Sequence, residues 1–213
     1  IFVTLKIGRS LWLEVFDVMD NVKTWKCFPT SVHEAKMNIS DHDQMMMRSY
    51  VQKVNQTHYK KAKDDTLHKI SYFRPLSDNI KAVTEKILED SGYEFDKIEI
   101  TNMWSNILEE GQTHPPHTHS NNTLSGVYYL KGGSPIQFFD PRPAANILKP
   151  RNTPNWDNSG MIQFNSVVDT SFIFPSWLMH WVPSTPNERI SIAWNILVRG
   201  HYGEPHTLQN AYI

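Results

Sequence analysis

The spacing of apolar residues changes character along the chain near residue 96. Before it, apolar positions recur every three or four residues. Asp41 to Asn55 carries Met45, Met46, Ser49, Tyr50 and Val54 at that spacing, with Ser40 or Asp41 placed to cap, which predicts an amphipathic helix. A second stripe, Ile80, Val83, Ile87 and Leu88, follows Ser77 as its expected cap and stops at Gly92. Both helices read as structural, and the methionine cluster reads as core filler rather than a ligand set.

From Lys97 onward the repeat shortens to runs rich in Ile, Val, Phe, Tyr and Trp, broken by Gly, Pro and Asn, as in the strands of a sandwich or barrel. The expected strands are 98–107, 124–131, 136–140, 161–165, 170–174 and 189–198. Between two of them, Pro141 to Asn158 holds four prolines and several asparagines and reads as an irregular loop. The expected organisation is an N-terminal extension over 1–24 and one domain over 25–213, helical over 25–95 with a β core over 96–200.

Composition narrows this picture. At 213 residues and a net charge of −1 the chain has the size of one domain and no global field to draw it to nucleic acid or anionic lipid. No apolar run approaches the roughly 18 residues that span a bilayer. Residues 1–24 lack the ordered parts of a secretory signal, although Leu5 to Phe16 is weakly of that type. One cysteine, Cys27, excludes an intrachain disulfide and thiolate metal clusters, points to a reducing cytoplasmic setting, and is expected to be a small buried residue. Of 21 basic and 22 acidic residues only 6 and 5 fall after residue 113, so the second half reads as a largely buried β core with helices against it.

Ten histidines in such a chain invite chemistry. His117 and His119 stand two apart, so an extended backbone turns both rings to one face, where neutral imidazoles ligate Fe, Zn, Cu or Ni. The pair supplies two corners only, and taken alone it equally suits surface histidines in a Pro-rich turn. His180 lies in the apolar run from Phe172 to Val182, either as a third ligand or as a hydrogen-bonded core residue. Nine residues on, Arg189, Ser191, Ala193 and Asn195 alternate with Ile190, Ile192 and Trp194. A guanidinium facing into a barrel needs a carboxylate, and the neighbouring strands offer none; a ligand carboxylate answers this, as does an outward Arg189 paired with Glu188.

The sequence of H-x-H leading into L-S-G-V-Y-Y-L, then F-P-S-W-x-x-H-x-V, then E-R-I-S-I-x-x-N-I resembles the 2-oxoglutarate/Fe(II) oxygenases of bacteria and their phages, and more distantly the prolyl 4-hydroxylase branch. The likeness is strong over 97–198, weaker at Phe28-Pro29-Thr30 and absent over 1–24. It implies a mainly β fold with N-terminal helices packed on its outer sheet, the double-stranded β-helix (a cupin-like jelly roll). It also implies Fe(II) and 2-oxoglutarate as cofactors, and O2-dependent hydroxylation of a C–H bond with release of succinate and CO2.

Carried over by position, His117, His119 and His180 are the implied metal ligands. Arg189 and Ser191 are the implied holders of the distal carboxylate of 2-oxoglutarate, with Tyr129 on the same carboxylate and Asn106 as a further polar contact. The family's usual H-x-D or H-x-E is here H-x-H, so His119 stands where a carboxylate is common, with His114 as its substitute. Trp104, Trp177, Trp181 and Trp194 read either as excluding water or as ordinary core, and Arg142 and Trp156 as candidates for a substrate rim on the long loop, with a solvated loop as the alternative. The other histidines, 33, 42, 58, 68, 201 and 206, are expected in surface or hydrogen-bonded roles. Two other classes fit the same residues: a cupin-type three-His dioxygenase without 2-oxoglutarate, and a non-catalytic metal-binding module.

Overall fold

A computed structural model describes residues 6–7, 11–12, 23, 25–57, 65–142, 144–145 and 147–213, without the side chains of 6, 7, 11, 12 and 55–57. Most of the 1–24 extension, His58 and most of the polar stretch 60–65 lie outside the described residues. Two compact units divide the chain at Thr30/Ser31. In the first, β1 (Lys6–Ile7) pairs with β2 (Leu11–Trp12), and the Lys23 ammonium lies 4.0 Å from the centre of the Trp25 ring. Cys27, expected to be buried, is exposed here in a run of exposed residues.

The second unit begins with β3 (His33–Lys36), a strand inside the region expected to be only helical. It pairs in extended register with β9 (Thr170–Pro175), which supplies the missing hydrogen-bond partners for so short a segment. Helix α1 spans Asp41–Thr57, and the Ser40 hydroxyl accepts the Asp43 N–H at 3.1 Å and donates to the Asp43 carboxylate at 2.6 Å, closing the first turn. Its buried stripe is Gln44, Met47 and Val51, turned from the expected one, and Met45 is exposed. The Met45–Met47 run offers three helical phases, and packing selects the third.

Helix α2 spans Arg74–Asp90. It starts three residues before Ser77 because Pro75 occupies its first turn, so Ser77 is a buried interior residue and not the cap. Its end matches expectation. Gly92 takes φ +73°, its N–H donates to the Glu89 carbonyl, and Tyr93 N–H reaches back to the Leu88 carbonyl.

The remaining strands are β4 (Lys97–Leu108), β5 (His114–His117), β6 (Leu124–Lys131), β7 (Ile136–Phe139), β8 (Met161–Phe164), β10 (His180–Val182), β11 (Arg189–Arg199), β12 (His201–Tyr202) and β13 (Ala211–Tyr212). They form a five-stranded sheet ordered β3-β9-β6-β11-β4 and a four-stranded sheet ordered β5-β10-β7-β8, both antiparallel, with β12-β13 as a small hairpin. This is the double-stranded β-helix.

Period-two alternation sorts the side chains of the larger sheet into two cores. Ile190, Ile192 and Trp194 of β11 face Met47 and Val51 of α1 and Leu76, Ile80 and Leu88 of α2. Gly126 on β6 lies beneath Trp194, where a Cβ would come within 2.4 Å of the indole. The opposite face carries Val127, Tyr129, Phe172 and Phe174, which meet Ile136 and Phe138 of the smaller sheet. Arg189, Ser191 and Asn195 project to that second face, between the sheets. The helices therefore stabilise the outside of the barrel and leave its interior to the polar residues of β11.

Candidate metal centre

Three short pieces of chain bring the histidines together. His117 closes β5, and His180 opens β10 directly opposite it in the antiparallel register. His119 lies just past β5, its backbone N–H anchored on the Ser176 carbonyl at 2.9 Å. Ring centres stand 4.3 Å apart for His117 and His180, and 5.1 Å for His119 with each of the others. One ligand atom from each of the three rings falls within 4.8 Å of the others, a geometry able to hold one metal ion.

The outer nitrogen of each ring is already occupied. His117 Nδ1 meets the Pro115 carbonyl at 2.8 Å and His180 Nδ1 the Leu178 carbonyl at 2.8 Å. His119 Nδ1 meets Asn195 Oδ1 at 2.5 Å. Donation by Nδ1–H to these oxygens leaves Nε2 of each ring with a free lone pair, the form that a metal requires.

Burial favours the neutral state of His180 and His119. His180 is 5% exposed among Phe138 and Phe174, and burial, reinforced by His117, His119 and His114, lowers its pKa to about 3. Burial also lowers His119, and takes His114 down to about 4. His114 lies against His117, ring centres 4.4 Å apart, outside the converging three.

Deeper in the barrel, Arg189 is 2% exposed. Its Nε donates to the Ser134 carbonyl at 3.2 Å and its Nη1 to Ser191 Oγ at 3.0 Å. Among the described residues no carboxylate pairs with it; Glu188, the surface alternative, binds Lys131 at 2.9 Å instead. The guanidinium lies 4.9 Å from the centre of the Tyr129 ring, and the buried Tyr129 hydroxyl, under the influence of Arg189, makes no well-formed hydrogen bond among the described residues. Burial pushes that hydroxyl up to about 12, so it stays protonated as a donor. Tyr129, Ser191 and Asn106 stand abreast on β6, β11 and β4. A buried cation, a buried hydroxyl and a facing serine make a receptor for a ligand carboxylate.

Of the four tryptophans read as water-excluding or core, Trp104 alone stands at the histidines, 5.7 Å from the His119 ring. Trp194 packs under the helices on the other face, Trp181 points outward beside Phe139, and Trp177 is 57% exposed. The loop 141–158 contains neither helix nor strand among its described residues. There Arg142 is held in a two-pronged pair with Asp140, and Trp156 is 70% exposed with its ring 5.8 Å from Phe164. Asn195, Ser125 and Ser176 also belong to the site and were not among the expected site residues. For Asn195 the signal was available, since it shares the alternation of Arg189 and Ser191.

Fold and site together define a class: a double-stranded β-helix with three histidines able to hold a metal ion and a buried arginine that has no carboxylate partner among the described residues. Residues 102–195 match the family model described as "Putative 2OG-Fe(II) oxygenase". No curated protein sequence matches the chain. Among solved structures, a Pseudomonas putida prolyl-4-hydroxylase aligns over 80% of this chain and 89% of its own, with TM-score 0.57 and 11% identity. A Trichoplax adhaerens prolyl hydroxylase, in complex with a hypoxia inducible factor peptide fragment, aligns over 78% and 83%, with TM-score 0.57 and 10% identity. HygX from Streptomyces hygroscopicus, with nickel and 2-oxoglutarate bound, aligns over 78% and 81%, with TM-score 0.55 and 9% identity. Among the described residues no helix is long and apolar enough to cross a membrane.

Proposed function

We propose that the protein is an Fe(II)- and 2-oxoglutarate-dependent dioxygenase that hydroxylates a C–H bond, with His117, His119 and His180 as metal ligands through Nε2. Arg189, Ser191 and the Tyr129 hydroxyl hold the distal carboxylate of 2-oxoglutarate, with Asn106 beside them. The observation that carries this reading is the pairing of a buried guanidinium lacking a carboxylate with a buried hydroxyl that makes no well-formed hydrogen bond, both on the interior face that the histidines share. A three-His centre working without 2-oxoglutarate has no use for that pair.

When bound, Fe(II) would activate O2, the oxidant, with 2-oxoglutarate giving two electrons on its conversion to succinate and CO2 and the substrate C–H bond giving the other two as it is hydroxylated. The chain orients and shields. Nδ1 hydrogen bonds hold the three imidazoles in one tautomer; Phe138, Phe174 and Trp104 keep water from the rings; Arg189 fixes the cosubstrate's far end so that its other end reaches the metal. Trp156 on the long loop forms part of the substrate rim, and Arg142, clamped on Asp140, fixes the base of that loop. The domain organisation proposed alongside is a functional unit over 25–213 preceded by the 1–24 extension.

The test is succinate and CO2 release from 2-oxoglutarate by the Fe(II)-reconstituted protein. Turnover lost in both His180→Ala and Arg189→Ala supports the reading, whereas turnover or tight 2-oxoglutarate binding that survives Arg189→Ala sinks the cosubstrate assignment.

A further inference from the structure

The His119 ring is the one ligand whose outer nitrogen meets a side chain rather than a backbone carbonyl, and that side chain belongs to a buried chain of hydroxyl and amide groups. Asn195 Oδ1 lies 2.5 Å from His119 Nδ1 and 2.7 Å from Ser125 Oγ. Ser125 Oγ lies 3.0 Å from the same Nδ1 and 2.8 Å from Ser176 Oγ. Asn195, Ser125 and Ser176 are 6%, 0% and 1% exposed, so water does not compete for these bonds.

With the Asn195 amide oxygen turned toward Ser125 and His119, the proton count of this network has one consistent solution. Ser176 donates to Ser125, Ser125 donates to Asn195 Oδ1, and the second lone pair of that oxygen faces His119. An Nδ1 without a proton would set lone pair against lone pair at hydrogen-bond distance. Nδ1 must therefore carry the proton, and the free lone pair is at Nε2. His117 and His180 obtain the same tautomer from backbone carbonyls, which no substitution removes. His119, placed after the end of β5, depends on a side chain.

We propose that Asn195, oriented by Ser125 and Ser176, is a positioning residue that holds His119 in the Nδ1–H form and aims Nε2 at the metal; this rests on His119 being a ligand. The amide accepts the proton's hydrogen bond without drawing it away, so His119 ligates as a neutral imidazole. A carboxylate in the same place would accept the same bond and make the ring a stronger donor.

The experiment reads tautomer and metal affinity, with Zn(II) alone as the probe. In the metal-free wild type, long-range 1H–15N correlation of 15N-labelled histidines is expected to show His119 protonated at Nδ1. Asn195→Leu, similar in size and without an acceptor, is expected to mix the two tautomers of His119 and to weaken Zn(II) binding about 10- to 100-fold. Asn195→Asp is expected to restore affinity to at least the wild-type value. His119→Ala separates the two levels of the argument. If it leaves Zn(II) affinity unchanged, His119 is not a ligand and the underlying reading fails. If it weakens binding while Asn195→Leu changes neither affinity nor tautomer, His119 remains a ligand and the role of Asn195 is refuted. A wild-type His119 protonated at Nε2 overturns the proposal whether or not the variants fold.

Discussion

Replacing Arg189 by methionine separates what this side chain does for the fold from what it does for the ligand. In the ligand-free protein the guanidinium is 2% exposed and makes hydrogen bonds to Ser134 and Ser191, each contributing about 1 kcal/mol. Against them stands the cost of burying a charge with no carboxylate beside it. The two nearly offset, so Arg189→Met is expected to change ligand-free stability by less than about 2 kcal/mol. Binding has no such compensation. Removing one member of a buried, hydrogen-bonded charge pair costs about 2–5 kcal/mol, roughly 30-fold to several thousand-fold in Kd for 2-oxoglutarate. Calorimetric titration of 2-oxoglutarate into the Zn(II)-loaded protein reads the second quantity directly. Thermal unfolding reads both: at 2-oxoglutarate 100-fold above Kd the wild type gains about 2.7 kcal/mol, a rise in Tm of roughly 5–11 °C for a chain of this size, and the variant gains almost nothing. A variant stabilised by 2-oxoglutarate as much as wild type would refute the reasoning.

His180 refuses, down to about pH 3, a proton that the unfolded chain accepts near pH 6.5. Metal-free stability is therefore fully present above about pH 6.5 and is lost as pH falls toward 3, by about 2 kcal/mol from this residue at pH 5; urea unfolding midpoints equal at pH 8 and pH 5 would contradict this. Gly126→Ala drives a Cβ into the Trp194 ring, at 2.4 Å before any adjustment. It is expected to destabilise by about 1–3 kcal/mol, read as a lower Tm, and an unchanged Tm counts against the packing described. His119→Asp places a carboxylate at the metal, where Asn195 can turn its amide to donate. It is expected to retain Zn(II) binding while weakening 2-oxoglutarate about 10- to 100-fold through the added negative charge, and equal 2-oxoglutarate affinity in calorimetry would exclude charge as the determinant.

Four of the five strands of the larger sheet, β4, β6, β9 and β11, were legible in the sequence because packing against a core fills them with Ile, Val, Phe, Tyr and Trp, whereas the short β3, inside the region expected to be helical, was not. The α1 start was legible at Ser40, but the phase of α1 and the start of α2 were not. In α1 three consecutive methionines satisfy the same periodicity, and only the sheet beneath decides that Met47 is buried and Met45 is not. Strands β5 and β10 were missed because His-Pro-Pro-His has no strand signature and His180–Val182 is three residues within a longer apolar run. Their strand character comes from pairing with each other and with β7. Trp194 is the ordinary core residue that the sequence left as the alternative to a water-excluding role, and the alternation already set it with Ile190 and Ile192, opposite Arg189. The bonds joining Asn195, Ser125 and Ser176 to His119 connect residues up to 76 apart in sequence, and no local pattern announces them.

Charge explains why a centre of three imidazoles and the buried arginine belong together. Three acidic residues of the β core are committed elsewhere: Asp140 binds Arg142, Asp169 accepts from Tyr128 and from the Ile39 N–H, and Glu188 binds Lys131. A divalent ion held by three neutral imidazoles keeps its full charge, and Arg189 adds another in the same barrel interior. A dicarboxylate is then the natural counter-ion to both. At an effective dielectric near 20, each unit charge within about 5 Å of a carboxylate contributes on the order of 3 kcal/mol. Metal and 2-oxoglutarate must consequently tighten each other's binding by one and the same factor. That factor should exceed the one in a site whose own carboxylate has already neutralised part of the metal, because here the cosubstrate supplies all the negative charge.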